Sequence, residues 1–144
     1  MTIHFTVPGE PKGKGRPKFN HYTRTAYTPK DTEEYEQRVR AAYFAATPGN
    51  PGFEKSALCV EIVAFFGMPR NIRRDLATAM LAGDVKPTKK PDSDNILKII
   101  CDALNKFAYM DDAQVVHATV KKRWAEIPRV EVTLYDAGEV KGHE

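Results

Sequence analysis

A chain of 144 residues, 42% hydrophobic and 28% charged, holds enough apolar material for one buried core. That excludes a disordered or fibrous protein and removes the need for disulfides or a structural metal as staples. Net charge is only +3, yet the basic residues are clustered, and clustering rather than the total decides what such a surface attracts. A single globular domain over residues 1–144 is expected.

Three basic clusters are present. Lys12, Lys14, Arg16, Lys18, Arg24 and Lys30 surround the lone acid Glu10; Arg70, Arg73, Arg74, Lys86, Lys89 and Lys90 form a second group; Lys121, Lys122 and Arg123 form a third. Any one of these is equally well a solvated surface, but three of them around an acidic motif point to a polyanionic partner. Cys59 and Cys101 lie in apolar stretches and match no zinc spacing, so both are expected as buried thiols in a reducing compartment. The opening MTIHFTVPGEPKGKGRP lacks the apolar core of a signal peptide, and no apolar run approaches the roughly 20 residues that span a bilayer. A cytoplasmic protein is expected, with no membrane partner.

In chain order, Thr2 to Val7 alternates with Ile3, Phe5 and Val7 on one side, which predicts a half-buried strand ended by Pro8 and Gly9. PGEPKGKGRPKF is too rich in glycine and proline for an element interior and reads as a basic loop whose glycines let amides approach a ligand. It lacks the spacing of a phosphate-binding P-loop. From Asp31, the spacing of Tyr35, Val39, Ala42, Tyr43 and Ala46 predicts a helix, with Asp31 and Glu34 as a capping box. Ala57 to Met68 is an apolar, β-branched and aromatic run that predicts a central strand. Residues 69–90 are basic, with a short helix around Arg73 to Leu81 that Gly83 would end.

From Asn95, residues Ile96, Ile99, Ile100, Ala103, Leu104 and Phe107 follow the helical period and leave Asn95, Lys98, Asp102 and Asn105 on the other face. Val116, Ala118 and Val120, then Val130, Val132 and Leu134, predict two strands joined at Ile127-Pro128. After Asp136 the chain reads as a frayed end. The order β-α-β-(α)-α-β-β predicts an α+β fold, a single-domain mixed β-sheet flanked by helices.

The chemistry concentrates in KPDSDNILKIICDALNKFAYMDDAQVV. Asp92 and Asp94, two apart in extended backbone before a helix, are placed to share one cation near the positive helix end. One of them could serve only as an N-cap, and Asp111-Asp112 could serve only as a turn. The helix of about 13 residues spans roughly 20 Å, and the chain's return along a neighbouring strand is expected to bring Asp112 back toward Asp94. Clustered carboxylates with no His or Cys among them select Mg²⁺, with Mn²⁺ as a substitute. Such an ion activates water against a phosphodiester. Lys98 would stabilise phosphate charge or orient the water, or else pair with Asp102 one turn on.

PDSDNILK, DAL and DDAQVV resemble the RusA family of Holliday junction resolvases, typically carried by phages and prophages. The opening strand with PKGKGRPKF, and YTPKDTEEYE entering a helix, are similar to the family's N-terminal half. The resemblance implies that Asp92, Asp94 and Asp112 are metal-binding aspartates and that Lys98 is an essential lysine. It also implies that Asp111 assists at the metal. Asp102 and Asn95 are motif residues. It further implies a homodimer suited to nicking two opposed strands of a four-way junction, leaving 5'-phosphate and 3'-hydroxyl ends in recombination and repair. Lys12, Lys14, Arg16, Lys18, Arg73, Arg74, Lys89 and Lys90 are the expected nucleic-acid contacts. The alternatives are a nuclease for other branched or flap DNA, and a non-catalytic basic DNA-binding accessory protein.

Overall fold

The computed structural model describes residues 1–138; the frayed end expected after Asp136 lies, from residue 139 onward, outside the described residues. The fold is α+β: a four-stranded mixed sheet, a small two-stranded hairpin and three helices.

The alternating N-terminal segment forms β1 (Thr2–Pro8), burying Ile3, Phe5 and Val7. The basic loop then leads to a hairpin the sequence pattern does not announce, β2 (Lys18–Asn20) and β3 (Thr25–Tyr27). Asn20 makes its turn: its side-chain oxygen accepts the amides of Tyr22 at 2.9 Å and Thr23 at 3.2 Å, the local bonding that makes asparagine a turn residue.

Helix α1 (Lys30–Ala46) buries Thr32, Tyr35, Val39 and Tyr43, with Ala42 half-buried and Ala46 exposed. The expected capping box between Asp31 and Glu34 does not form, because the helix starts earlier and Pro29 occupies the cap position without a side-chain bond. Asp31 lies inside the first turn, where it accepts the Thr32 amide at 2.9 Å and the Lys12 ammonium at 2.7 Å.

The apolar run forms β4 (Leu58–Gly67), an interior strand in which alternate residues from Leu58 to Phe66 are buried. The short helix is α2 (Arg74–Ala82), ended by Gly83 at φ 89°, the left-handed cap that glycine adopts without a Cβ penalty. The second clear helix is α3 (Ser93–Leu104), with Ile96, Ile99, Ile100, Ala103 and Leu104 buried. Each buried isoleucine contributes about 1.5–3 kcal/mol relative to exposure. Phe107, expected on that apolar face, falls beyond the helix and is 47% exposed.

Strands β5 (Val115–Ala125) and β6 (Arg129–Asp136) follow, and the sheet order is β1-β6-β4-β5. β5 runs parallel to β4, while β6 lies antiparallel between β1 and β4. The turn at Ile127-Pro128 therefore joins strands that are not neighbours. Val116, expected to face inward, is 62% exposed: Val115 pairs with Leu58 and His117 with Cys59, so Val116 is the extra residue of a bulge. Helices α1 and α3 pack on the face carrying Phe5, Val60, Ile62 and Val132. Their burial fixes the polar side of α3 toward solvent.

Candidate active site

The acidic motif sits where α3 begins. Asp92 holds the N-cap position but makes no side-chain cap bond, and Asp94 lies in the first turn. Both are exposed, and among the described residues neither carboxylate is taken up by a hydrogen bond or ion pair. The capping explanation for this pair therefore does not hold: two carboxylates stand unengaged at the positive end of a helix.

Lys98, one turn on, is 61% exposed, and its ammonium is 3.9 Å from Asp102 Oδ2. That is beyond hydrogen-bonding distance and worth at most a few tenths of a kcal/mol in solvent. The closer partner of Asp102 is Lys14, whose ammonium is 3.1 Å from Asp102 and 2.7 Å from Glu36 of α1. Burial alone would lower the Lys14 pKa, but the hydrogen bonds and charges of Glu36 and Asp102 prevail and raise it above the ordinary 10.5. Lys14, expected among the DNA contacts, thus has its ammonium committed to two helices.

The basic loop is pinned to the same place. The Lys14 amide donates to the Asn95 carbonyl at 3.2 Å, and a Cβ on Gly13 would stand 2.8 Å from Pro91 Cβ and 3.0 Å from Asn95 Cβ. The freedom expected to admit a ligand at this glycine instead admits the start of α3. Between loop and motif runs a cleft lined by Lys12, Lys14, Lys90, Asp92 and Asn95.

Asp112 returns against α3, but at the level of Cys101 rather than Asp94, seven residues or about 10 Å of helical rise away. The link is Tyr109, 3% exposed, whose hydroxyl is 2.8 Å from Asp112 Oδ1 and 2.9 Å from the Cys101 carbonyl. Burial above all, then the Cys101 and Asp112 charges, pushes the Tyr109 phenol far up, so it acts as a proton donor. Asp111 is engaged elsewhere. Its Oδ2 accepts the Ala113 amide at 2.9 Å, and its own amide donates to Gln114 Oε1 at 2.8 Å, a capping box on the 3-10 turn Asp112–Gln114. The turn explanation thus accounts for Asp111 and leaves Asp112 to Tyr109.

Among the described residues no three His, Cys, Asp or Glu side chains form a group that would hold a metal ion. Mg²⁺, however, keeps several waters and takes one or two carboxylates together with substrate phosphate. The free hard-oxygen donors of Asp92 and Asp94 fit such an open site.

Of the remaining expected contacts, Arg16, Lys18, Arg74 and Lys90 are exposed, Lys12 pairs with Asp31, and Arg73 lies 3.7 Å from Asp75. Lys89 sits 5.8 Å from the centroids of both Phe66 and Trp124. Cys59 is buried and Cys101 only half-buried; both are free thiols. No described helix is long and apolar enough to cross a membrane. Tyr109 escapes a reading by element pattern, its one signal being an aromatic three residues before Asp112.

Compared with known proteins, residues 8–135 match the family model described as Endodeoxyribonuclease RusA. The chain is also 33% identical over 136 residues to the uncharacterized protein YqaN of Bacillus subtilis strain 168, covering 92% of this chain and 94% of that one.

Proposed function

From a chain that belongs to the RusA endodeoxyribonuclease family, we propose a divalent-metal-dependent enzyme that resolves four-way DNA junctions by paired, symmetric nicks. The observation that carries this is the pair Asp92 and Asp94, both unengaged at the start of α3 although one stands at the cap position. Two acids left without structural work are available to a cation, which in turn can take phosphate oxygens.

In this proposal Asp92 and Asp94 would hold Mg²⁺, or Mn²⁺ in its place, and Asp112, held at the level of Cys101, would be drawn toward them when metal and DNA bind; the ion would supply Lewis-acid polarisation and an activated water. Lys98, on the same exposed face as Asp94, neutralises charge that develops on the scissile phosphate. Asp92 and Asp94 would be the residues that hold the ion, and Tyr109 keeps Asp112 oriented by donating to Oδ1. Asp111 maintains the turn that presents Asp112. A homodimer, working in the cytoplasm of a bacterial host, would bring two such sites to opposed strands of one junction.

The test is cleavage of a synthetic mobile four-way junction, a flap and a linear duplex, with Mg²⁺ or EDTA. Paired nicks in the junction alone support resolution; equal cutting of the flap would move the substrate class to branched DNA in general.

A further inference from the structure

A second cleft lies on the other side of the acidic motif, between the end of α2 and β5, with a volume of about 620 Å³. Its lining includes Gly83, Lys86, Ser93, Lys121, Lys122 and Arg123, and it carries four cations and no acid. Ser93 is the residue between Asp92 and Asp94, so the cleft reaches the start of α3 beside the two unengaged carboxylates, neither of which lines it.

Local structure explains the gathering of charge. Gly83 ends α2 in the left-handed conformation, and a Cβ there would stand 2.6 Å from Arg123 Nη2. The bare backbone is what admits the guanidinium. The Lys86 ammonium donates to the Gly83 carbonyl, so both cations converge on the negative end of α2. Lys122 is committed inward, donating to the Lys89 carbonyl at 2.7 Å and lying 5.1 Å from the Phe66 centroid. Lys121 is exposed and, like Arg123, has no carboxylate within ion-pair distance among the described residues. Helix-end carbonyls account for Lys86 and part of Arg123, but not for Lys121.

We propose that this cleft binds the phosphodiester backbone of a DNA strand and delivers it past Ser93 to Asp92 and Asp94, with Lys86, Lys121 and Arg123 as the phosphate contacts. The proposal rests on the nuclease function above and adds the path of the strand, which leads away from the sequence-expected Arg73 and Arg74 at the opposite end of α2.

The test is equilibrium binding of a synthetic four-way junction in EDTA over a salt series, with cleavage in Mg²⁺ measured on the same preparations. Lys121→Gln/Arg123→Gln is compared with Lys55→Gln/Lys106→Gln, which removes the same charge from exposed sites elsewhere. Each lost phosphate contact lowers the slope of log affinity against log salt by about 0.9, so the cleft pair should lose about 1.8 of slope and about tenfold or more in affinity, the control pair neither. Because Arg123 also packs on Gly83, exposed Lys121→Glu alone serves as the second variant and should weaken binding severalfold. Slopes and affinities equal to the control, in a wild type that cuts the junction, overturn the cleft and leave the nuclease standing. A wild type that binds but never cuts fails the nuclease while the slopes still judge the cleft; one that neither binds nor cuts overturns both.

Discussion

The Tyr109 hydroxyl lies 2.8 Å from Asp112 Oδ1 and 2.9 Å from the carbonyl of Cys101, so one buried proton serves both a candidate catalytic carboxylate and the last turns of the helix that carries the others. Tyr109→Phe keeps the ring in its pocket and removes only that proton. The expected result is a loss of about 1 kcal/mol of stability and a severalfold rise in the Mg²⁺ or Mn²⁺ concentration for half-maximal binding. Cleavage at saturating metal should change little. Calorimetric titration with Mn²⁺ reads the metal term independently of activity, and unchanged metal affinity would mean that Tyr109 only packs.

Asp111 and Asp112 are adjacent and chemically alike, yet the capping box on Asp111 separates them. Asp111→Ala should cost about 1 kcal/mol in thermal or denaturant unfolding while retaining cleavage within about tenfold. Asp112→Asn should spare the fold and remove cleavage. A loss of cleavage in Asp111→Asn equal to that in Asp112→Asn would contradict the division of labour.

Lys14 joins the basic loop, α1 and α3 through Glu36 and Asp102. Lys14→Met leaves both half-buried carboxylates without their cation and should destabilise by roughly 1–3 kcal/mol. Its pKa is raised in the folded state, so the stabilisation it gives is fully present below the ordinary 10.5 and is lost as pH rises through the higher folded value. The gap in melting temperature between wild type and Lys14→Met should therefore narrow above about pH 10.5. A gap constant to pH 12 would show that the ammonium's charge is not what stabilises.

Much of this was legible in the sequence because its signals are local. The alternation of Ile3, Phe5 and Val7, the run that became β4 and the helical period from Ile96 to Leu104 each report one element's own buried face. Gly83 ended α2 where its type predicts. What escaped depends on distant partners. Asp31, inside the first turn of a helix whose cap is Pro29, pairs with the distant Lys12; the bulge at Val116 reflects pairing with a strand more than fifty residues away. The hairpin β2–β3 rests on three-residue strands too short to show a period. The third basic run, Lys121 to Arg123, was visible as charge, but only the docking of α2 beside β5 forms a cleft of it. Asp112 was expected back toward Asp94; it meets α3 at the level of Cys101 instead, a placement that follows from Tyr109, which no periodicity marks.

Asp92 and Asp94 stand without partners at the start of α3, the arrangement proposed to hold a divalent ion for DNA cleavage. Its most direct test is a four-way junction incubated with Mg²⁺, comparing wild type with Asp94→Asn and monitoring junction binding in EDTA alongside. Wild type should make paired, metal-dependent nicks that are lost in Asp94→Asn, with binding in EDTA kept or tightened because one repelling charge is gone. Wild-type nicking that persists in Asp94→Asn, or junction binding with no cleavage under any divalent ion, would contradict it.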